Sequence, residues 1–305
     1  LVAFMDYLFH AMFSIMLFCT VFMMYPRAEV SAKRIEEVFN LDPIIKNKPA
    51  DSDFDEKVSI EFDHVTFVYP DGEEPVLQDV SFKANKGEMI AFIGSTGSGK
   101  STLVNLVPRF YDVSSGSIKI NGKDIRDYDV LELRDKLGVI PQKAVLFSGT
   151  IADNIRFGKK DASDEEVEYA AKVAQAYPFI MEKENGFDEE ISEGATNVSG
   201  GQKQRLSIAR ALVRKAQIYI FDDSFSALDF KTDAILRKEL KKEMTESIML
   251  VVAQRISSIM EADQIIVLNE GKVVGKGTHH QLLKECQIYH EIATSQLSEE
   301  ELANA

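Results

Sequence analysis

The opening segment of this 305-residue chain is an almost unbroken apolar run. From Leu1 to Tyr25 the one formal charge is Asp6, and His10 is the other ionisable side chain. An apolar stretch of about 20 residues is long enough to cross a bilayer as a helix. The pattern therefore predicts a transmembrane helix, with a buried core helix as the less favoured alternative. Because ionisable groups at membrane depth usually face a cavity, Asp6 and His10 either line a substrate path or lie near the outer interface.

The next segment has helical periodicity. Across residues 31–40, Ile35, Val38 and Phe39 alternate with charged residues, which predicts an amphipathic continuation of the helix. Basic residues that flank a membrane span mark its cytoplasmic side, so we expect the chain beyond Pro26 to lie in the cytoplasm. Since the sequence has no initial Met and no basic leader, we also expect earlier transmembrane helices.

Short strand-like runs begin at residue 58. The predicted strands are 58–62, 66–69, 80–82, 89–93, 218–221, 248–252 and 264–268, and the predicted helices are 163–175, 201–215 and 231–244. Asn121-Gly122 predicts a tight hairpin turn. Alternation of helices with buried strands indicates a mostly parallel sheet with helices on both faces. We expect four segments: a membrane helix with its extension at 1–40, a Pro-containing, charged linker at 41–57, the α/β domain at 58–297 and a tail at 298–305.

Composition narrows the class of protein. Hydrophobic residues make up 45% of the chain, which is enough for a sizeable core. The net charge of −14 argues against a nucleic-acid surface, which needs clustered Lys and Arg. The two cysteines, Cys19 and Cys286, are too few for a disulfide framework or a zinc site.

One glycine-rich stretch, between the runs 89–93 and 102–106, organises the domain. It fits G-x-x-x-x-G-K-S and comprises Gly94, Ser95, Thr96, Gly97, Ser98, Gly99, Lys100 and Ser101. A loop that enters a helix N-terminus aims backbone N–H groups and the helix dipole at one point, which suits a polyphosphate. Lys100 supplies charge between the β- and γ-phosphates, and the Ser101 hydroxyl can bind Mg²⁺. Thr102 completes the predicted phosphate-binding set.

A carboxylate at the end of an apolar strand supplies the second part of this site. Asp222 directly follows the strand predicted at 218–221. The carboxyl ends of parallel strands form the ligand-binding edge of such a sheet, so we expect Asp222 near Ser101 and Mg²⁺. An apolar run that ends in Asp is a weak motif alone and gains weight from the phosphate loop upstream.

Further motifs, in a fixed order, resemble those of ATP-binding cassette (ABC) proteins. Tyr69 resembles the family's aromatic A-loop residue, and Val139 to Gln142 resemble its Q-loop. The family's signature motif corresponds to Val198, Ser199, Gly200, Gly201 and Gln202. Its D-loop corresponds to Ser226, Ala227, Leu228 and Asp229. The matches extend over about residues 58–293. The segments 1–40 and 147–156 resemble those of an exporter half-transporter.

The resemblance implies a fold, cofactors and roles. The fold is an α/β P-loop NTPase nucleotide-binding domain, with a mostly parallel sheet, an antiparallel β-subdomain and a helical subdomain, preceded by one transmembrane α-helix. The cofactors are ATP and Mg²⁺, with Ser101, Gln142 and Asp222 as metal ligands. Tyr69 stacks on adenine, unless it is only an exposed strand aromatic. The signature residues close over ATP held by a second half-transporter, so that two sites form in a head-to-tail dimer.

Two positions depart from the family pattern. Asp223 stands where the family has a glutamate that polarises the attacking water, and a carboxylate retracted by about an ångström can lower the rate on the order of a hundredfold. Gln254 stands in place of the switch histidine; glutamine can hydrogen-bond a γ-phosphate but cannot carry a proton. With Lys100 they form the predicted catalytic set. Together they indicate a degenerate, slowly hydrolysing site, although drift with retained activity is the alternative.

These observations predict an ATPase of the translocase class, in an ABC exporter of the heterodimeric multidrug type. We expect it in the plasma membrane, with its nucleotide-binding domain in the cytoplasm. The expected partners are a second half-transporter, membrane lipid and a lipophilic small-molecule substrate, and no nucleic acid. A homodimeric exporter of lipid or peptide and an ATP-gated channel or regulatory module are the alternatives. Soluble cassette ATPases and importer subunits are disfavoured by the apolar run at 1–25.

Overall fold

The computed structural model describes residues 1–49 and 58–298. The rest of the predicted linker, 50–57, and the tail from 299 lie outside the described residues. The helices are α1 (Val2–Phe39), α2 (Lys100–Leu106), α3 (Val130–Asp135), α4 (Ile151–Arg156), α5 (Asp164–Val173), α6 (Tyr177–Met181), α7 (Gly200–Leu212), α8 (Phe230–Glu243), α9 (His279–Glu285) and α10 (Gln287–Gln296). The strands are β1 (Ser59–Phe67), β2 (Leu77–Asn85), β3 (Met89–Gly94), β4 (Ser115–Ile120), β5 (Lys123–Asp124), β6 (Leu137–Ile140), β7 (Gly149–Thr150), β8 (Glu190–Ile191), β9 (Ile218–Asp222), β10 (Ile248–Val252), β11 (Gln264–Asn269) and β12 (Lys272–Gly277). The chain divides after Lys46 into two compact units.

The first unit is dominated by one long helix. α1 runs unbroken past Pro26, and every one of its side chains is exposed. Its 38 residues correspond to about 57 Å at 1.5 Å per residue. An 18-residue window within it has a mean hydropathy of 1.9, so that by length and composition the helix is able to cross a membrane.

The second unit is built on a six-stranded, mostly parallel sheet with the strand order β12-β11-β3-β10-β9-β6. The pairs among β3, β6, β9, β10 and β11 are parallel, and β12 joins β11 antiparallel at one edge. Side chains of β3 alternate between two hydrophobic clusters, with Ala91 and Ile93 in one and Ile90 and Phe92 in the other. The sheet therefore separates two core layers, as the strand pattern predicted.

A second sheet, antiparallel and ordered β2-β1-β4-β5, packs into one of these core layers. The prediction of two separate strands at 58–62 and 66–69 was wrong, because β1 is a single strand whose register shifts on either side of Val65. His64 there adopts φ +49°, and such a bulge interrupts the period of two without ending the strand. The predicted turn is confirmed, since Asn121 and Gly122 join β4 to β5 with φ of +54° and +79°.

The three predicted helices are confirmed as α5, α7 and α8, with ends that shift by at most three residues. Gln175 and Lys215 lie beyond the ends of α5 and α7 with φ of +56° and +55°. Left-handed residues of this kind end a helix, and neither position carries the glycine that would have signalled it. The helices α5 and α6 form the helical part of the domain and pack on one side of the sheet core.

Candidate functional site

Four parallel strands end at one edge of the large sheet, and each continues into a predicted motif. β3 leads into the phosphate loop, β9 ends at Asp222, β10 leads to Gln254 and β6 leads to Gln142. Val252 is in register with both Phe92 and Asp222, so these strand ends lie side by side. The carboxyl edge of an open α/β sheet is where such folds bind ligands.

The phosphate loop depends on glycine at two positions for different reasons. A Cβ on Gly94 would lie 2.0 Å from the carbonyl oxygen of Leu268, so only glycine fits against the neighbouring strand. Gly97 has φ of +82°, a left-handed conformation that favours glycine, and a Cβ there would meet no neighbouring atom of the described residues within 4 Å. The loop borders a cavity of about 170 Å³, lined by Val76, Gly97, Gly99, Lys100, Ser101 and Thr102. The backbone is thus bare where a phosphate chain would approach it.

Lys100 holds its ammonium group inside this loop. Its Nζ donates hydrogen bonds to the carbonyl oxygens of Gly94 at 2.9 Å and Ser95 at 2.7 Å, and to Ser98 Oγ at 3.2 Å. Burial lowers the pKa of Lys100, and the nearby carboxylates of Asp223 and Asp222 oppose that shift. A largely buried cation at the centre of a glycine loop fits a polyphosphate.

Ser101 and Asp222 meet as predicted at the start of α2. Ser101 Oγ donates a hydrogen bond of 2.9 Å to Asp222 Oδ1. Burial raises the pKa of Asp222, the neighbouring Asp223 raises it further, and the bond from Ser101 opposes the shift. A hydroxyl and a carboxylate side by side at the phosphate loop form an all-oxygen donor set, which is the kind that Mg²⁺ prefers.

Asp223 lies where three of the motifs meet. Its Oδ2 accepts hydrogen bonds from Gln254 Nε2 at 2.8 Å and from Gln142 Nε2 at 3.2 Å. The residue is 7% exposed and has φ of +48°, a left-handed conformation that Asp tolerates better than most residues. Burial raises the pKa of Asp223, whereas the bond from Gln142 lowers it. The structure thus brings the two departing positions, 223 and 254, into direct contact.

Tyr69 lies next to the phosphate-loop helix. Its hydroxyl is 3.0 Å from Thr102 Oγ1, and its half-buried ring packs edge-to-face with Phe67 and Tyr111 at centroid distances of 4.9 and 5.2 Å. Tyr111 was not among the predicted residues. An aromatic pair, Phe110-Tyr111, in a polar loop is the sequence signal that could have indicated it.

The signature residues form the start of α7. Ser199 and Gln202 cap it reciprocally: Gln202 N donates to Ser199 Oγ at 3.3 Å and Ser199 N donates to Gln202 Oε1 at 2.9 Å. Val198 is buried, whereas Ser199 and Gly200 are exposed. Their exposed N–H end is able to receive an anion from outside this chain.

The D-loop lies between the signature and Asp223. A Cβ on Gly201 would come within 3.2 Å of the carbonyl oxygen of Ala227. Ser226 Oγ donates to the carbonyl oxygen of Asp223 at 2.8 Å. Leu228 is buried, and Asp229 caps α8 by accepting from Thr232 N. The loop therefore touches both the start of α7 and the backbone of Asp223.

Gln204 is a site-adjacent residue that the motifs did not single out. It is buried, and its Nε2 donates to the carbonyl oxygen of Pro141 at 3.2 Å, directly before Gln142. The available signal is a glutamine on the buried face of α7, near Leu206 and Ile208. The bond links the signature helix to the exit of β6.

A parallel sheet with a phosphate loop after β3 and a carboxylate at the end of β9 makes the second unit a P-loop NTPase domain. Residues 77–226 match the ABC transporter family, and the domain is accordingly an ABC transporter ATP-binding domain. This confirms the fold that the motifs implied, with its two sheets, its helical part and one apolar helix at the start of the chain.

Known proteins resemble this chain over most of its length. The uncharacterized ABC transporter ATP-binding protein YfiB of Bacillus subtilis is 42% identical over 98% of this chain and 52% of its own. A putative multidrug export ATP-binding/permease protein of Staphylococcus aureus is 44% identical over 78% of this chain and 41% of its own. The structure of a bacterial Atm1-family ABC exporter with ATP bound superimposes with a TM-score of 0.86 at 34% identity, over 92% of this chain and 49% of that one. The chain spans about half the length of the curated relatives it matches.

Proposed function

We propose that this chain is the ATP-binding part of an ABC exporter half-transporter in the plasma membrane, which exports a lipophilic small molecule. Two features of the chain support this: α1 is long and apolar enough to cross a bilayer, and an ABC ATP-binding domain follows it in the same chain. The Staphylococcus aureus relative, described as a putative multidrug exporter, supports the class of substrate. The ATP-binding domain lies in the cytoplasm.

The carboxyl edge of the large sheet holds ATP and Mg²⁺ in this proposal. The loop of residues 94–102 surrounds the phosphates, with Lys100 at its centre, and the ring of Tyr69 stacks on adenine. Ser101, Gln142 and Asp222 hold Mg²⁺, which neutralises charge on the β- and γ-phosphates when it is bound. The cavity beside Gly97 and the contact between Ser101 and Asp222 support these roles.

This site binds ATP firmly and hydrolyses it slowly. The observation that carries this proposal is that Asp223 and Gln254 are bonded to each other at the sheet edge. Gln254 faces the γ-phosphate through its amide, which cannot accept or release a proton. Asp223 has the shorter side chain and is already paired with two amides, so it is poorly placed to activate water. ATP here acts as a clamp that keeps a dimer closed.

The dimer partner is a second, different half-transporter with a competent site of its own. The exposed, well-capped start of α7 completes that competent site by receiving the phosphates of the partner's ATP. Hydrolysis at the partner's phosphate loop then resets the complex. The D-loop links the two sites, because Ala227 lies close to Gly201 of the signature and Ser226 bonds to the backbone of Asp223.

The test compares two samples of the full-length chain in membranes. One contains this chain without a partner, and the other contains it with the half-transporter that co-purifies with it. We expect MgATP binding in both cases and rapid ATP hydrolysis only with the partner. Lys100→Met should weaken MgATP binding at this site by about tenfold to a hundredfold, because it removes charge-assisted hydrogen bonds. Lys276→Met, on an exposed edge-strand position, is the matched control. Equal hydrolysis by the chain alone would instead indicate a homodimeric exporter.

A further inference from the structure

The last residue of α10, Gln296, makes two hydrogen bonds to the loop that carries Gln254. Gln296 Nε2 donates to the carbonyl oxygen of Gln254 at 2.9 Å, and the backbone N–H of Ile256 donates to Gln296 Oε1 at 2.9 Å. One side-chain amide therefore spans the residues on both sides of Arg255. Because the partners are one acceptor and one donor, they also fix which way round the amide lies.

The helix behind Gln296 is anchored in the hydrophobic core. Tyr289 and Ala293 of α10 are fully buried in the same hydrophobic cluster as Ile256. The loop that carries Gln254 is also bonded to β3, because Ala253 N donates to the carbonyl oxygen of Phe92 at 3.1 Å. The backbone of Gln254 is thus held between β3 and α10, and the Gln296 amide forms the α10 side of this support.

We infer that Gln296 is a positioning residue for Gln254, and that through Gln254 it sets the preference of this site for a nucleotide with a γ-phosphate. The inference rests on the proposed function, because that function includes the contact between Gln254 and the γ-phosphate. Gln296 reaches the backbone of Gln254, whose side chain then reaches Asp223 at 2.8 Å. A displacement of the Gln254 side chain by about an ångström is enough to weaken its contact with the γ-phosphate.

A purely structural role for Gln296 has a different signature from a positioning role. A structural bond that is lost lowers the stability of the chain equally whichever nucleotide is present. A positioning bond that is lost changes the affinity for MgATP relative to MgADP, because the β-phosphate contacts at residues 94–101 are untouched. The ratio of the two affinities is therefore the deciding quantity.

The experiment uses the full-length protein with its co-purifying partner in lipid nanodiscs, the partner's own phosphate loop being disabled. Gln296→Leu removes both hydrogen bonds, and Gln296→Glu keeps the acceptor for Ile256 N–H but offers no donor to Gln254. Gln287→Leu is the matched control, because Gln287 is an exposed residue of the same helix whose side chain bonds to Glu291, one turn further along α10. Equilibrium binding of MgATP and MgADP is measured for each.

We expect Gln296→Leu to weaken MgATP binding about threefold to tenfold and to leave MgADP binding unchanged. Gln296→Glu should weaken MgATP binding at least as much as Gln296→Leu, because its carboxylate would repel the carbonyl oxygen of Gln254. Gln287→Leu should match the unsubstituted protein. Unchanged MgATP binding in the Gln296 variants, or equal losses for both nucleotides, would overturn the inference alone. Absence of MgATP binding in the unsubstituted complex would overturn the proposed function together with it.

Discussion

Gln254 donates a hydrogen bond of 2.8 Å to Asp223 Oδ2, and Gln142 donates to the same oxygen at 3.2 Å. Three separate segments of the chain are therefore joined at one carboxylate oxygen. Neither glutamine amide can take up a proton, so the cluster holds Asp223 in place without offering a proton relay. This arrangement of Asp223 and the two glutamines is the basis for proposing slow ATP hydrolysis at this site.

The double substitution Asp223→Glu with Gln254→His should raise turnover at this site by about tenfold or more. Glutamate is longer by one methylene and brings its carboxylate about an ångström further into the site, and histidine is able to carry a proton. The measurement is phosphate release by the assembled complex in which the partner's own glutamate is disabled. Gln287→His, remote from the site, is the matched control for the histidine. Unchanged turnover would mean that the partner's signature residues limit this site.

Tyr69→Ala should weaken ATP binding by about tenfold, whereas Tyr69→Phe should stay within about twofold of the unsubstituted protein. Phenylalanine keeps the flat face and loses only the hydroxyl contact with Thr102. Equilibrium binding of ATP and of inorganic triphosphate separates the contribution of the base from that of the phosphates. Binding of inorganic triphosphate should be the same in the Tyr69→Ala and Tyr69→Phe variants. A similar loss from both variants would place the energetic role of Tyr69 in its hydroxyl instead of its ring.

The parts of the fold that could be predicted are those whose signal is local in sequence. The apolar run of β3 and the glycine loop after it indicate strand, loop and helix within about 20 residues, and the structure has each of them. The position of Asp222 followed because parallel strands end at one edge. The division of β1 was predicted wrongly, because the bulge at His64 breaks the alternation from which strands are recognised.

Contacts between distant segments had no such signal. Gln204 bonds to Pro141 across 63 residues, and Gln296 bonds to Gln254 across 42 residues. A glutamine on a helix has no sequence neighbour that reveals which backbone group it meets after folding. The contact between Asp223 and Gln254 is of the same kind, although both residues were singled out as departures from a family pattern. Motifs thus singled out the residues of the candidate site, and the fold was needed to show their bonds.

Gly200→Asp should lower ATP turnover by the assembled complex by about tenfold or more while leaving MgATP binding at this chain's own phosphate loop unchanged. A Cβ on Gly200 would meet no neighbouring atom of the described residues within 4 Å, so the position has room for a side chain. Its negative charge would face the phosphates of the partner's ATP, where like charges cost several kcal/mol. Gly200→Ala, which adds no charge, should lose much less turnover.

The two readouts for this pair of variants are phosphate release and nucleotide binding in the same preparation. Weaker binding at the chain's own phosphate loop, with turnover of the complex preserved, would contradict the assignment of α7 to the partner's site. A melting temperature close to that of the unsubstituted protein would confirm that the fold is intact.

Asp223→Asn should stabilise the nucleotide-free chain at neutral pH and have little effect in acid. Burial raises the pKa of Asp223 in the folded state, so the folded chain binds this proton more tightly than the unfolded chain does. The contribution of Asp223 to stability is therefore fully present below its unfolded pKa of about 4 and is lost as pH rises through its folded pKa. The difference in melting temperature between Asp223→Asn and the unsubstituted chain should grow as pH rises through that range.

The control variant Asp229→Asn should instead be destabilised at neutral pH, because backbone hydrogen bonds from α8 lower the pKa of Asp229. A destabilised Asp223→Asn at neutral pH would show that the bonds from Gln142 and Gln254 to the charged carboxylate outweigh its burial.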